Sequence, residues 1–148
     1  MSDAAKTGPL DLSSLQSAVR ALGHTLDITA SDEFKRVDPH WRDALVSGVV
    51  QHFEFTFELC WKTLKRQLEQ ELASPAMLDS MSYRDLIRLG HERGLIENVP
   101  PWFEFRELRN ITSHTYAREK AAEVAAGAVS FLAHAQALLA AVKARNHG

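Results

Sequence analysis

Four polar side chains of different chemistry lie within eight positions in the last third of the chain: Arg109, Asn110, His114 and Tyr116. An arginine suits phosphate because its planar fork of donors stays charged at any working pH. A histidine takes up or releases a proton near neutrality. Together these groups have the chemistry needed to hold or cleave a phosphodiester.

The spacing of Arg109 and His114 sets a condition on the helix that carries them. Positions five apart lie about 140° apart around a straight helix, so the two side chains diverge unless the helix ends between them. Ile111, Thr112 and Ser113 favour such an end, because β-branched residues and serine disfavour helix interiors. We therefore expect His114 in the junction before the last helix, where backbone amides form an anion pocket. The structural alternative is that Arg109 pairs with a nearby glutamate and His114 caps a helix.

The elements that carry these groups are predicted to be helices, because apolar residues recur at spacings of three and four. Ser74 and Pro75 end the second helix, Gly94 suits the position after the third, and residues 32–36 can add a short turn. The predicted helices cover residues 10–28, 39–72, 82–93, a stretch from the prolines at 100 and 101 into the motif, and 117–145. The sequence thus predicts an all-α, five-helix antiparallel up-and-down bundle, with residues 1–9 as a flexible tail and 10–145 as one domain.

The second predicted helix is apolar on two sides. Its main stripe consists of Val46, Val49, Phe53, Phe57, Cys60, Leu64 and Leu68. Phe55 and Leu59 lie off that stripe, as expected if a second subunit covers them. Cys60 should be buried and inert, and the three tryptophans are predicted to be core residues rather than base-stacking platforms.

Composition bounds the class of protein. The chain has 148 residues, a formal net charge of −2 and one cysteine. One cysteine allows no intrachain disulfide and fits a reducing compartment, and no stretch is predicted to be a signal peptide or a membrane span, so we expect a cytoplasmic protein. The charge argues against a protein that coats nucleic acid nonspecifically. The histidines lack metal-ligand spacing, and we predict neither a metal nor a cofactor.

The longer pattern around the motif resembles the HEPN superfamily: Arg-Asn-x-x-x-His, a tyrosine two residues later, and an alanine-rich last helix. The Arg-x4-His-x-Tyr form is similar to HepT-type toxins and the related nucleotidyltransferase substrate-binding proteins. The segment Phe-Glu-Phe-Thr-Phe-Glu-Leu-Cys-Trp-Lys at 53–62 is similar to a segment of the latter group. The resemblance covers residues 10–142.

This resemblance implies a homodimer in which two Arg-His motifs face one cleft, and a metal-independent endoribonuclease. Arg109 would hold the scissile phosphate, His114 would act as general base or acid for attack by the ribose 2′-hydroxyl, and Asn110 would orient the site. The implied partner is an MNT-type nucleotidyltransferase antitoxin that attaches AMP to Tyr116. A bulky anion beside His114 would block RNA.

Two questions stay open from the sequence. Glu54 and Glu58, one helical turn apart, can form a carboxylate pair, but a Glu58–Lys62 ion pair on a wet face is the commoner arrangement, and Glu54 is a weaker candidate for contacting Arg109. The function can be that of an RNase toxin silenced by a nucleotidyltransferase, of a non-catalytic substrate-binding subunit, or of a plain dimeric scaffold. The scaffold predicts that Arg109→Ala lowers stability without removing an activity.

Overall fold

The computed structural model describes residues 8–114 and 118–146, with only the backbone described at 113, 114, 118 and 119. In this part of the chain, all the regular structure is helical. The elements are α1 (Ser13–Ala30), α2 (Asp32–Arg36), α3 (Pro39–Glu71), a 3₁₀ helix (Pro75–Ser80), α4 (Tyr83–Glu92), α5 (Val99–His114) and α6 (Arg118–Arg145). The five longer α-helices confirm the predicted all-α bundle. The predicted turn at 32–36 is α2, and the 3₁₀ helix is an addition to the prediction. Of the predicted tail, residues 1–7 lie outside the described residues.

Local side-chain hydrogen bonds explain where α1 and α3 begin. The Asp11 carboxylate accepts hydrogen bonds from the Ser13 amide at 3.0 Å and from the Ser13 hydroxyl at 2.6 Å. These bonds hold the chain in a turn, so α1 begins three residues later than predicted. At α3, Asp38 accepts from the amide of His40 at 2.9 Å and Pro39 occupies the first turn, which confirms the predicted start.

Helix α4 ends in a Schellman motif. The amide of Leu95 donates to the carbonyl of Gly90 at 2.8 Å, and the amide of Gly94 donates to the carbonyl of His91 at 3.0 Å. Gly94 has a φ of 81°, a conformation that glycine adopts without a Cβ penalty. The prediction of Gly94 as the residue after the helix is confirmed.

An aromatic cluster at the centre of the core fixes α3, α5 and α6 relative to one another. The Phe131 ring on α6 lies 5.1 Å from the ring of Phe53 on α3 and 5.1 Å from that of Phe105 on α5. Trp102 adds a third edge contact at 5.9 Å. All four side chains are at most 2% exposed, and each such burial contributes roughly 1.5–3 kcal/mol. The cluster therefore sets the seam between α3 and α5, where Arg109 lies.

The tryptophan prediction is correct for only part of the set. Trp102 is 2% exposed and belongs to the core, and Trp61 is half-buried against it. Trp41 is 68% exposed, so its assignment to the core is wrong. It lies in the first turns of α3, beyond the aromatic cluster. Phe55, which lies off the main stripe, is 58% exposed, and Cys60 is fully buried as predicted.

Helix α6 corrects another expectation. By length and composition, the described segment Lys120–Arg145 is apolar enough to span a bilayer, contrary to the prediction that no stretch qualifies. One face packs against α1, α3 and α5. Its buried residues are Val124, Ala128, Phe131, Ala135, Leu138 and Val142. Alanines on the outer face supply much of the remaining apolar character. A helix packed in a bundle can therefore meet the same criteria of length and composition as a membrane span.

Candidate functional site

Arg109 on α5 is bound to Glu54 on α3 across the seam between the two helices. The arginine Nη1 donates to Glu54 Oε2 at 3.0 Å. The two side chains are 26% and 27% exposed, so water screens this pair less than a fully exposed one. The predicted pairing of Arg109 with a nearby glutamate is confirmed as geometry, and Glu54, the weaker candidate in the sequence, is a partner.

Glu58 adds a second carboxylate to the same guanidinium. Its Oε1 lies 3.5 Å from Arg109 Nε, and its Oε2 accepts from the indole N–H of Trp61 at 3.2 Å. The predicted Glu58–Lys62 pair exists at 4.0 Å, with the lysine side chain 59% exposed. The Glu58–Lys62 pair is therefore confirmed, and the contact between Glu58 and Arg109 is an addition to the prediction.

Thr112 completes the network, and the sequence offered it only as a helix-ending residue. Its Oγ1 lies 2.8 Å from Glu54 Oε2, 2.7 Å from the Arg109 carbonyl and 3.2 Å from Arg109 Nη1. The hydroxyl has one proton to donate and accepts from the guanidinium. The signal available in the sequence was its spacing, since residues three apart share a helix face.

Two clefts open beside Arg109. The outer cleft, of about 500 Å³, follows the exposed side of α3 and is lined by Gln51, Glu54, Phe55, Glu58, Leu59, Lys62 and Arg109. The central cleft, of about 420 Å³, lies between α3, the 3₁₀ helix, α4 and α5, and its lining includes Arg106, Arg109 and Asn110. Asn110 is exposed, so its amide faces a space that also holds two guanidinium groups. A phosphate in the central cleft would meet guanidinium and amide donors of the types that bind it well. It would also lie near the carboxylates of Glu58 and Asp79, which line the same cleft and oppose an anion.

The structure does not contain the predicted helix end between Arg109 and His114. Helix α5 continues without interruption to His114, so this expectation is wrong. The physical reason is that Thr112 bonds its hydroxyl to the Arg109 carbonyl within the helix at 2.7 Å, which accommodates a β-branched residue without ending the helix. The two backbone positions are therefore about 140° apart around α5. The predicted modification site, Tyr116, lies outside the described residues.

Within the described residues, no group of three or more His, Cys, Asp or Glu side chains is arranged to hold a metal ion. His134 lies on α6 with its ring 5.4 Å from that of Phe105. His91 contacts the Ile96 carbonyl through Nδ1 at 2.8 Å. These two histidines have packing and turn-stabilising contacts.

The described residues form an all-α bundle in which Arg109 on α5 is held by Glu54 and Glu58 on α3. Sequence comparison gives the family. Residues 10–144 match the family described as nucleotidyltransferase substrate binding protein like. The chain belongs to this family, which confirms the resemblance to HepT-like proteins.

Two matches from Haemophilus influenzae extend this result. The chain is 36% identical over 141 residues to a protein named "Probable ribonuclease HepT", covering 95% of this chain and 97% of the relative. It is also similar to the solved structure of HI0074, described as revealing the fold of a substrate binding domain of a nucleotidyltransferase. That match has a TM-score of 0.86 and 34% identity, and covers 90% of this chain and 99% of the other.

Proposed function

We propose that the protein is a HEPN ribonuclease, the toxin of a toxin–antitoxin pair, which cleaves RNA without a metal through Arg109 and His114. The observation that carries the proposal is the Arg109 network: a guanidinium oriented by Glu54 and Thr112 at 3.0 and 3.2 Å at the mouth of a cleft. The 36% identity to a protein named as a ribonuclease supports the same class of reaction.

In this reaction the ribose 2′-hydroxyl attacks the adjacent phosphorus, and the bond to the 5′-oxygen breaks. His114 removes the proton from the 2′-hydroxyl or donates one to the leaving 5′-oxygen. Arg109 binds the non-bridging oxygens, whose negative charge grows in the transition state. Glu54 restricts the orientation of the guanidinium through the hydrogen bond that Arg109 Nη1 donates at 3.0 Å. Asn110 orients the phosphate from the same helix.

A homodimer fits the geometry better than a monomer. Because α5 is unbroken, the backbone positions of Arg109 and His114 lie about 140° apart around the helix. A cleft between two copies can collect both groups from two motifs. The outer cleft offers a surface beside Arg109, since Phe55 is 58% exposed there. Leu59 lines the same cleft and is only partly buried.

Regulation by an MNT-type nucleotidyltransferase antitoxin completes the proposal. The Tyr116 hydroxyl attacks the α-phosphorus of ATP and pyrophosphate leaves, which places a phosphodiester anion and a nucleoside two residues from His114. Like charge then repels the RNA backbone, and bulk excludes it from the site. The site belongs to one HEPN-like domain over residues 10–145. The protein is cytoplasmic in this proposal, because its single cysteine, Cys60, is buried and not paired in a disulfide, as suits a reducing compartment.

A second function is favoured by a specific finding: the family description and the solved relative both refer to nucleotidyltransferase substrate binding. In that case the protein presents a substrate to a nucleotidyltransferase and does not cleave it. Arg109 then holds a phosphate group without chemistry.

Cleavage of a mixed RNA in the presence of a metal chelator, by wild type and by His114→Ala, separates these two functions. Both proteins are first compared by circular dichroism and sedimentation to establish equal folding and assembly. The ribonuclease proposal expects cleavage by wild type alone, with 2′,3′-cyclic phosphate ends. Wild type that cuts no RNA moves the substrate-binding function to first place.

A further inference from the structure

A third cleft, between the start of α4 and the exposed face of α5, has arginines on both walls. This α4–α5 cleft, of about 280 Å³, is lined in part by Arg84 from α4 and by Arg106 and Asn110 from α5. Arg106 and Asn110 also line the central cleft next to Arg109. The two clefts therefore share a wall, and the three arginines follow one continuous path.

Aromatic rings hold two of these arginines in place. The Arg84 guanidinium carbon lies 4.3 Å from the centre of the Phe103 ring, and that of Arg106 lies 4.7 Å from the centre of the Tyr83 ring. The Tyr83 ring is fixed in turn, because its hydroxyl donates to the Trp102 carbonyl at 2.8 Å. Burial raises the pKa of this hydroxyl, so it stays protonated and keeps that bond.

A cation–π contact is electrostatic and uses no hydrogen-bond donor of the guanidinium, so its N–H groups can still bind a ligand. It also restricts the side chain before a ligand arrives, which lowers the entropy lost on binding. The first turn of α4 begins at the same cleft, and its backbone amides add partial positive charge there. These features favour a ligand with a series of anionic oxygens.

We propose that the α4–α5 cleft binds the phosphate backbone of single-stranded RNA beside the scissile position, through Arg84 and Arg106. The inference rests on the proposed function, because it extends the path of the same substrate away from Arg109. A single strand fits better than a duplex, since its backbone can bend from one cleft into the next.

Acidic groups near the path make the proposal more specific. Glu107 lines the α4–α5 cleft, and Asp85 in the first turn of α4 lies 3.5 Å from Arg88. Glu107 opposes an anionic ligand, so Glu107→Gln should strengthen binding. Arg88 is a matched control for Arg84: it lies on the same helix and near the same ring, at 5.4 Å from Phe103, but it pairs with Asp85.

The test measures binding of a fluorescent single-stranded RNA whose 2′-hydroxyls are methylated, so that no cleavage can follow. Fluorescence anisotropy gives the affinity of wild type, Arg84→Ala, Arg106→Ala and Arg88→Ala over a range of salt concentrations. We expect Arg84→Ala and Arg106→Ala each to weaken binding about tenfold and to reduce the salt slope by about 0.7. Arg88→Ala should change the affinity less than twofold.

Equal affinities for Arg84→Ala and Arg88→Ala, or no binding by wild type, overturn the proposal. The proposal is also overturned if Arg84→Ala or Arg106→Ala loses binding to a purified nucleotidyltransferase while its affinity for RNA is unchanged. The cleft then binds a protein. Cleavage of unmodified RNA is measured separately. Arg84-dependent binding without cleavage supports the cleft and contradicts the nuclease, whereas cleavage with Arg84-independent binding supports the nuclease and contradicts the cleft.

Discussion

The contact between Glu54 and Arg109 should contribute measurably to stability as well as to the site. Its 3.0 Å hydrogen bond and its exposures of 26% and 27% place it between a surface pair and a buried one. Exposed pairs contribute about 0.2–1 kcal/mol, and hydrogen bonds to charged groups contribute about 1.5–3 kcal/mol. We expect a coupling free energy of about 1 kcal/mol between the two side chains.

A double-mutant cycle measures this coupling directly. Glu54→Ala, Arg109→Ala and the double variant are unfolded in urea at one protein concentration, because a dimer would make stability depend on concentration. For a chain of this size, 1 kcal/mol corresponds to a shift in Tm of about 2–4 °C. Thr112 contacts both side chains, so the measured coupling includes the part that passes through its hydroxyl.

The control is the same cycle for Glu58 and Lys62, which lie on one helix at 4.0 Å with the lysine 59% exposed. That coupling should be no more than about 0.5 kcal/mol. If the Glu54–Arg109 coupling is as small as the control, the network does not orient the guanidinium, and the reasoning that links α3 to the site is refuted.

Three further predictions concern the fold. Phe131→Ala should lower the free energy of unfolding by about 3–5 kcal/mol, because four aromatic rings lie within 6.3 Å of its ring. Its control is Trp41→Ala, at a side chain that is 68% exposed. This variant should change the free energy of unfolding by less than about 0.5 kcal/mol in the same urea titration. Gly90→Ala should lower the free energy of unfolding by about 1 kcal/mol, because the new Cβ would lie 3.0 Å from Leu64 Cδ1 and overpacking outweighs the gain in helix propensity. A higher free energy of unfolding would contradict this. Burial raises the pKa of the Cys60 thiol, so a thiol reagent at mildly alkaline pH should label this cysteine only as the protein unfolds. Fast labelling of the folded protein would contradict the placement of Cys60 in the core.

Helical periodicity was sufficient to predict the bundle, because apolar residues recur at spacings of three and four along the long helices and most of the helix ends have local signals. Gly94 and Pro39 lie where the sequence places them, since their backbone preferences are local. Trp41 shows the limit of this reasoning: an aromatic residue at the start of a long helix lies beyond the elements that could bury it. Burial depends on which neighbours reach a position, and composition does not contain that information.

The candidate site was predicted only in part, because its partners also depend on which neighbours reach a position. Arg109 stands out in the sequence by its motif, but its partners Glu54 and Thr112 depend on the packing of α3 against α5. The expected helix end before His114 is wrong because local propensity underestimates a threonine that satisfies its hydroxyl within the helix. The arginine path through Arg84 and Arg106 joins two helices, so spacing along either one alone does not reveal it.

The central claim is that Arg109 acts on a phosphate and does more than join α3 to α5. The most direct test is the metal-free cleavage rate of Arg109→Ala and Arg109→Lys relative to wild type, with each variant shown to be folded at the assay temperature. We predict a loss of roughly a hundredfold or more for Arg109→Ala, as for removal of a donor that stabilises developing charge, and a partial loss for Arg109→Lys, which keeps the charge without the fork. Cleavage by a folded Arg109→Ala at the wild-type rate would contradict the account and leave Arg109 as a structural residue of the seam.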